Sequence, residues 1–419
     1  MLFMLTRRCP LCGGIDFFTL LDLGLQPLAN QLFTSEKEAK SAEKYDLSLL
    51  CCNDCMYVWL NALVSPERLF SNNTYLTGVS KQTQEDMYSF AKACMDSCNV
   101  SSEKSVLDIA SNDGTLLTFF KEKGFTVLGV EPSINAYKIA DSKGITTIND
   151  FFNEDLSNKI VQTYGKFYLV TATNLLTHIA DPVLFLNNCK SILQENGSIV
   201  LEFYYFESLI SNIAFDQIYH EHVSYFNCRV FNNLVKKVGM EIYNINLVRA
   251  QGGSLRVFLG FPNQHTINNE VENLLRSEGD IKNIKNRYIT FANKAMLKAE
   301  EIKTYLLSAH DNNKKILGYG ASAKATVVTN FSKIDNSIIM GIADQSPLKQ
   351  DKFIPGTGIR IIKPEKINIM EPEVIVIFSW NLKDEIIQYL KNIVQKPTDL
   401  VVFTPYLLEI SLGKEVGAK

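Results

Sequence analysis

Two C-x-x-C pairs constrain this chain more than any other feature. Cys9 and Cys12 form the first, followed by Gly13 and Gly14; Cys52 and Cys55 form the second, with Cys51 immediately before it. Each pair sets two thiolates on one knuckle, and glycine lets the backbone fold over the sulfurs. Two such knuckles supply the four sulfurs of a tetrahedral structural zinc site. The 39 residues between Cys12 and Cys52 exceed what a compact ribbon needs, so a small subdomain is expected there. Redox-active pairs are the competing reading, and it is the weaker one in a compartment that keeps thiols reduced. The x-x spacing selects Cys52 over Cys51 as ligand. Cys94 and Cys98, four apart on an expected helix, and the isolated Cys189 and Cys228 read as core fillers.

The chain has 419 residues, enough for about three domains at roughly 150 residues each. With 46% hydrophobic and 21% charged residues, wholesale disorder is excluded. A net charge of −3 gives no electrostatic reason to expect a phosphate-backbone partner. Residues 1–60 carry five basic side chains against seven acidic ones, so the cysteine module has no basic stripe for nucleic acid. The longest unbroken apolar runs, such as Val374 to Phe378, are too short to span a bilayer. Met1 to Arg8 place their charges after the apolar stretch, the reverse of a secretory signal. A cytoplasmic protein without a membrane partner is the expectation.

Beyond the cysteines, residues 82–98 have a helical apolar face through Met87, Phe90, Ala91 and Cys94. A strand at Ser105–Ile109, a helix from Leu116 to Lys123 closed by Gly124, and a strand from Thr126 to Val130 follow. Phe167 to Ala172 and Ser198 to Phe203 read as further strands, with a helix at Pro182 to Leu193 between them. That alternation predicts a parallel, doubly wound α/β sheet. Residues 268–309 are polar and helical in pattern, a connector to a second α/β unit that opens with the strand Lys315–Gly318.

The second unit echoes the first. Leu107 to Ser111 corresponds to Leu317 to Ala321, Gly129-Val-Glu-Pro132 to Gly341-Ile-Ala-Asp344, and Thr173-Asn174 to Trp380-Asn381. From loop to acid the spacing is 23 residues in the first (Asp108 to Glu131) and 26 in the second (Gly318 to Asp344). Two Rossmann-like domains, related by duplication, are expected. The division is a zinc-binding domain over 1–74, a cofactor-binding α/β domain over 75–266, and the connector with the second α/β domain over 267–419.

Asp108-Ile-Ala-Ser-Asn-Asp-Gly114 sits at the carboxyl end of the first strand, where doubly wound sheets bind ligands. It lacks the G-x-G-x-x-G that brings a pyrophosphate against a helix N-terminus. Acids at Asp108 and Asp113 suit a cofactor that is not an anion. S-adenosylmethionine, with its positive sulfonium and ammonium and no phosphate, fits; NAD is the competitor. Glu131 is placed to accept hydrogen bonds from both ribose hydroxyls, and the run Asn149, Asp150, Phe151 and Phe152 to frame the adenine by a polar edge and a stacking ring. Ser111, Asn112, Gly114 and Asn174 complete the expected cofactor edge.

Three of the five histidines lie in two short motifs. His178 ends Asn174-Leu-Leu-Thr-His178, just past a strand. His220 and His222 lie in Phe215-Asp-Gln-Ile-Tyr219-His220-Glu221-His222-Val-Ser-Tyr225-Phe226. A phenol, two imidazoles and a carboxylate are costly to bury together without purpose. A second metal site is disfavoured because the run is not H-E-x-x-H. Acid–base chemistry fits best, since imidazole titrates near neutrality. His265 and His310 are isolated and expected at the surface.

Taken in order, these motifs resemble those of a sugar C-methyltransferase family over nearly the whole chain. The matching residues are the two cysteine pairs, Ser111-Asn-Asp-Gly114, Gly129-Val-Glu-Pro-Ser133, His178-Ile179, Phe215 to Phe226 and Gly252-Gly-Ser-Leu-Arg256. Gly320-Ala-Ser-Ala-Lys324, Asp344-Gln-Ser-Pro347, Pro355-Gly-Thr357 and Trp380-Asn381 complete the set. Gln251 stands where the family often has histidine, and Thr77 to Ser80 only loosely follows its serine-rich stretch after Tyr75. The resemblance implies an N-terminal zinc-binding domain, an S-adenosylmethionine-binding domain that includes Tyr75, and a C-terminal α/β domain. It implies methylation of a ring carbon, C-3, beside the ketone of a 4-keto-6-deoxy sugar carried on dTDP or GDP, for branched deoxysugars. An O- or N-methyltransferase on a nucleotide sugar, or an NAD-dependent nucleotide-sugar oxidoreductase, is the alternative. The chain is read as a monomer.

A carbon becomes nucleophilic only when a proton leaves it, so the site needs a base over the carbon and a donor at the ketone oxygen. The expected assignment gives the proton to His222 and the enolate hydrogen bond to Tyr219, with these two roles exchangeable. His178 steadies the sugar or shares the proton, and Glu221 orients an imidazole. Gly320, Ser322 and Lys324 are expected to offer backbone amides and a cation to the diphosphate, with Arg256 as a further diphosphate ligand.

Overall fold

The computed structural model describes residues 3–4, 8–70, 76–97 and 105–413. Tyr75 and Cys98 lie outside the described residues.

The segment between the knuckles is the expected subdomain. Strand Phe17–Pro27 pairs antiparallel with Lys44–Cys52, which pairs in turn with Val58–Leu60. A fourth strand, Ser224–Tyr225, comes from beyond the first α/β sheet and adds to Val58–Leu60. Leu47, Leu49, Tyr57, Val58 and Trp59 are buried beneath this sheet. The loop between the two long strands carries a short helix, Glu36–Lys40. Ser35 caps it by accepting from the Glu38 N–H at 3.2 Å while its hydroxyl donates to the Glu38 carboxylate at 2.9 Å.

The first α/β sheet runs in the order Glu241–Val248, Ser254–Gly260, Leu193–Tyr204, Phe167–Thr173, Ser105–Ile109, Thr126–Val130, Thr147–Ile148. The last five of these are parallel, and Leu107, Leu169, Val170, Ile199 and Leu201 bury its centre. Strand order reverses at Ser105–Ile109, which fixes a crevice at its carboxyl end beside Phe167–Thr173. The two antiparallel strands, 241–248 and 254–260, extend the wholly parallel sheet expected from sequence. They join by a tight turn around Ala250–Gly253, and such a hairpin carries no helix to reveal its place in a sheet.

The second α/β sheet has the order Ile361–Ile362, Ile342–Ala343, Ile316–Tyr319, Val374–Ile377, Thr398–Val402, Leu408–Leu412, with only the last strand antiparallel. Both units are Rossmann-like, as the internal echo implied. The connector forms helices Asn269–Glu278 and Ile281–Asp311, capped by the side chains of Asn268 and Asp280. Ile284, Tyr288, Phe291, Ala295, Ile302 and Leu306 make one buried stripe along the longer helix. Arg287 forks onto Glu207 at 2.8 and 2.9 Å. Glu278 accepts from the Tyr205 hydroxyl and from the N–H groups of Cys228 and Arg229 at the start of helix Cys228–Lys237.

The N-terminal module touches both units. Leu60 N–H donates to Val223 and the Tyr57 hydroxyl meets Ser224 at 2.7 Å. On the other side, Thr326 donates to the Ala29 carbonyl at 2.9 Å and Gly356 N–H to the Ala39 carbonyl at 2.7 Å. Cys94, Cys189 and Cys228 are buried core thiols, and His310 is exposed. His265 is half-buried, stacked on Tyr243 at 4.0 Å, where an exposed ring was expected. No described helix is long and apolar enough to cross a membrane.

Candidate active site and zinc centre

The sulfurs of Cys9, Cys12, Cys52 and Cys55 all lie within 4.8 Å of one another, and Cys9–Cys55 and Cys12–Cys52 approach to 3.6 Å. A tetrahedron with Zn–S bonds of about 2.3 Å has edges of about 3.8 Å, so the four thiolates fit zinc. Cys9 N–H donates to the Gly14 carbonyl, closing the first knuckle, and Gly14 N–H points at the Cys12 sulfur at 3.4 Å. A Cβ at Gly14 would meet an Asp54 carboxylate oxygen at 2.3 Å, so a larger residue there would have to displace that exposed side chain. Cys51 is buried beside the cluster and is not part of it.

At the carboxyl edge of the first sheet, Asp108 is buried and accepts from the Thr171 hydroxyl at 2.7 Å. Burial, and then the Glu131 charge, push its carboxyl up to about 7. Glu131 accepts from the N–H groups of Asn112 (2.9 Å) and Ser133 (2.7 Å), and burial raises its pKa as well. Those two bonds orient the carboxylate and leave lone pairs for hydroxyl donors. Ala110, Asn112 and Gly114 all take positive φ, so the loop coils sharply before helix Thr115–Glu122. Asn174 leaves its strand at φ 56°, with its N–H donating to the Glu202 carbonyl. Asp150 is exposed and accepts from Phe151 N–H at 2.7 Å, and Phe151 is half-buried. Asn149, from the same run, donates to the carbonyls of Glu131 and Pro132.

Two loop residues turn inward instead. Asp113 accepts from Thr115 and from Gly78 N–H at 2.8 Å, with Lys143 at 3.4 Å, so its carboxylate braces the loop against the segment that follows Tyr75. Ser111 has a buried hydroxyl packed on Gly129, where a Cβ would meet its oxygen at 2.5 Å.

The Tyr-His-Glu-His run lies where Phe215–Gln217, a single 3₁₀ turn, meets Ser224–Tyr225. His222 is buried, and its Nδ1 sits 2.8 Å from the Gln217 carbonyl. A carbonyl only accepts, so Nδ1 carries the hydrogen. Burial, and then His178, hold the ring's pKa well below its ordinary value, so it is neutral and Nε2 is a lone pair. The Tyr219 hydroxyl therefore donates to Nε2 at 2.9 Å. His178 follows the same logic: Nδ1–H donates to the Glu221 carbonyl at 2.6 Å, and burial lowers its pKa. The His178 and His222 rings are 5.0 Å apart. Glu221 thus orients an imidazole, but through its backbone; its carboxylate accepts from Asn30 at 3.0 Å. His220 is buried against Tyr45, with burial pushing its pKa down to about 4.

The expected diphosphate set is rearranged. Arg256 is buried, donates to Glu202 at 2.7 and 2.8 Å, and lies over the Phe90 ring, so its donors are spent inside the sheet. Gly320 N–H donates to Ala343 and Ser322 N–H to Gly320, leaving neither amide for a phosphate. Lys324 is half-buried at the start of helix Ala323–Phe331, beside Asp216 and close enough to His222 to lower its pKa.

Asp216 and Asn30 are site residues that sequence reasoning did not single out. Asp216 is buried and accepts from the Trp380 indole N–H at 2.8 Å, which ties the 215–226 run to the C-terminal unit. Its place inside the quoted 215–226 motif was the available signal. Asn30 had none, being 191 residues from Glu221.

Three family models match consecutive parts of the chain: a zinc binding domain over residues 9–70, a methyltransferase domain over 84–245, and a C-methyltransferase C-terminal domain over 249–405. The C-methyltransferase NovU of Streptomyces niveus is 26% identical over 402 residues, 95% of both chains. In the order of its three domains and over nearly its whole length, the chain is similar to a C-methyltransferase. It is an S-adenosylmethionine-dependent methyltransferase with a zinc-binding module. A ubiquinone biosynthesis O-methyltransferase of Actinobacillus pleuropneumoniae is 32% identical over 104 residues, 22% of this chain and 43% of that one. Magnesium protoporphyrin IX methyltransferase from Synechocystis, solved with bound SAH, covers 46% of this chain and 92% of its own, at 16% identity and a TM-score of 0.35.

Proposed function

We propose that this C-methyltransferase methylates a ring carbon, C-3, adjacent to the ketone of a nucleotide-linked 4-keto-6-deoxy sugar, by way of an enolate. The observation that carries the reading is the neutral His222 whose free nitrogen is held by the Tyr219 hydroxyl. Such a pair is a base assembly, and methyl transfer to oxygen or nitrogen in an already nucleophilic acceptor has less need of one. Tyr219 is half-exposed whereas His222 lies behind it, so the two expected roles exchange: the carbon's proton goes to the phenol oxygen as Tyr219 passes its own to Nε2. His178 stands ring-to-ring with His222 and steadies the sugar.

S-adenosylmethionine supplies an electrophilic methyl group carried on a sulfonium. Asp108 and Glu131, along with Asn112, Gly114, Asn174, Asp150 and Phe151, hold the donor, and the acids complement its charge. Residues 1–74, 75–266 and 267–419 act as zinc-binding, cofactor-binding and substrate-covering domains, with the nucleotide, dTDP or GDP, in the seam between the two α/β units.

The test incubates the purified protein with S-adenosylmethionine and a panel of nucleotide-linked 4-keto-6-deoxy sugars, with mass spectrometry of the products. A gain of one methyl group on one sugar is expected. Donor binding with no methylation across the panel would remove the proposed acceptor class.

A further inference from the structure

With Tyr219 donating to His222, the ketone oxygen lacks the hydrogen-bond donor first expected for it. His178 does not fill the place by its Nδ1, which is committed to the Glu221 carbonyl. The developing negative charge therefore has to be met from elsewhere.

In the seam between the two α/β units stands the cation Lys324. Helix Ala323–Phe331 packs its residues against the turn Phe215–Gln217, with the Phe215 and Phe331 rings 5.6 Å apart. Trp380 holds the same turn through Asp216. Lys324, in the first turn of that helix, stands beside Asp216 and His222. Burial raises the Asp216 carboxyl to about 6, against a downward pull from Lys324, and the Lys324 charge adds to the depression of His222. Among the described residues the Lys324 side chain forms no ion pair and no hydrogen bond. Asp216 Oδ1 and the Tyr204 hydroxyl, whose ionisation the Asp216 charge opposes, are buried without partners in the same place. An ammonium kept partly desolvated and uncommitted, close to a base, is arranged for an anion that exists only during reaction.

We propose that Lys324 is a catalytic residue of the C-terminal unit that meets the ketone oxygen and neutralises it as it becomes an enolate, with Asp216 and Trp380 as positioning residues. The inference rests on the enolate reading above. As the C–H bond breaks, its proton goes to the Tyr219–His222 pair and its electrons form the C=C bond, while the carbonyl π electrons move to oxygen opposite Lys324. The carbon then bonds to the methyl group, sulfur keeps the pair of the broken S–C bond as a neutral thioether, and the ketone re-forms. This places the cation at the reacting end of the substrate, away from the diphosphate.

The test uses Lys324→Met and Lys324→Arg in the full chain, with the ketosugar that the wild type methylates. Three readouts are taken: kcat and KM, exchange of the substrate's α-hydrogen in deuterated buffer with S-adenosylhomocysteine bound, and inhibition by the matching nucleoside diphosphate. Lys324→Met should lower kcat and the exchange rate together by about 100-fold, the scale of losing one oxyanion donor. Affinity for S-adenosylhomocysteine and for the nucleoside diphosphate should stay within about 3-fold, and Lys324→Arg should recover part of the exchange. An unchanged exchange rate with nucleoside diphosphate inhibition weakened more than about 10-fold would return Lys324 to the diphosphate and overturn the proposal. A wild type that methylates a ketosugar without any α-hydrogen exchange or loss would instead remove the enolate reading, and the role of Lys324 with it.

Discussion

The two α/β units use one design and put opposite chemistry into it. In each, an acid at the end of the second strand accepts one N–H from the loop after the first strand and another from two residues further on. Glu131 takes these from Asn112 and Ser133, and Asp344 takes them from Ala321 and Ser346. From there they diverge. Asp344 also faces Lys349 at 3.5 Å, so its charge is neutralised, and Lys349 donates to the Ala321 carbonyl across the loop. The position of Asp108 is held by Gly318, where a Cβ would meet the Phe378 ring at 2.7 Å. The first cradle keeps two buried acidic side chains with no cation beside them among the described residues, as the proposed cationic donor needs; the second is filled by a ring and balanced by a lysine. The two units therefore share the backbone of a binding site without sharing its charge. The second copy works by reaching across the seam with Trp380 and Lys324.

The largest effect is expected where the module that grips both units is undone. Cys52→Ser should remove zinc and most of the soluble folded yield, since structural zinc contributes on the order of 10 kcal/mol to small sites. Metal analysis and circular dichroism check this, and full solubility without zinc loss would make the module dispensable.

Next, Glu131→Gln should weaken S-adenosylmethionine by about 100-fold in calorimetry, the scale of charged hydrogen bonds lost from a buried site. Asp344→Asn should shift that affinity by less than about 2-fold, because its cradle holds no donor cofactor. Equal losses from both variants would erase the contrast between the units.

Trp380→Phe removes the indole N–H that fixes Asp216 and keeps the ring. It should lower kcat by about 10-fold with donor affinity intact, the cost of one hydrogen bond to a charged group. A change confined to donor binding would show that the C-terminal unit does not act on the catalytic run.

The smallest effect is one of pH. Asp108 is raised to about 7, so it is largely neutral below that value and becomes a carboxylate above it. A sulfonium or ammonium binds the charged form better, so donor affinity should rise a few-fold from about pH 6 to about pH 8 in wild type and less in Asp108→Asn. A flat wild-type profile would place Asp108 out of the cofactor's field.

Local patterns made much of this legible. Strand periodicity located Ser105–Ile109, Thr126–Val130 and Phe167–Thr173, and cysteine spacing located the zinc ligands, because each is a short-range property of the chain. The hairpin 241–248/254–260 was missed, since an antiparallel addition to a parallel sheet is decided by what it packs on. The side chains of Asp113 and Arg256 turned inward for the same reason: an acid or arginine at a strand end reads as ligand-facing until the partner that absorbs it, Gly78 or Glu202, is placed beside it. Glu221 was expected to orient an imidazole and does so through its carbonyl, which no side-chain motif encodes. Lys324 was picked as a cation in a glycine-containing loop, and only the packing of its helix on Phe215–Gln217 placed it beside Asp216 and His222.

The central claim is methyl transfer to carbon, and the most direct measurement is NMR of the product made with S-adenosylmethionine carrying a ¹³C-labelled methyl group. The account predicts a labelled methyl signal in the aliphatic C–CH₃ region, correlated through bonds to a ring carbon that has lost its hydrogen, beside an intact ketone. A labelled methyl at an O–CH₃ or N–CH₃ shift, with the α-hydrogen retained, would contradict it.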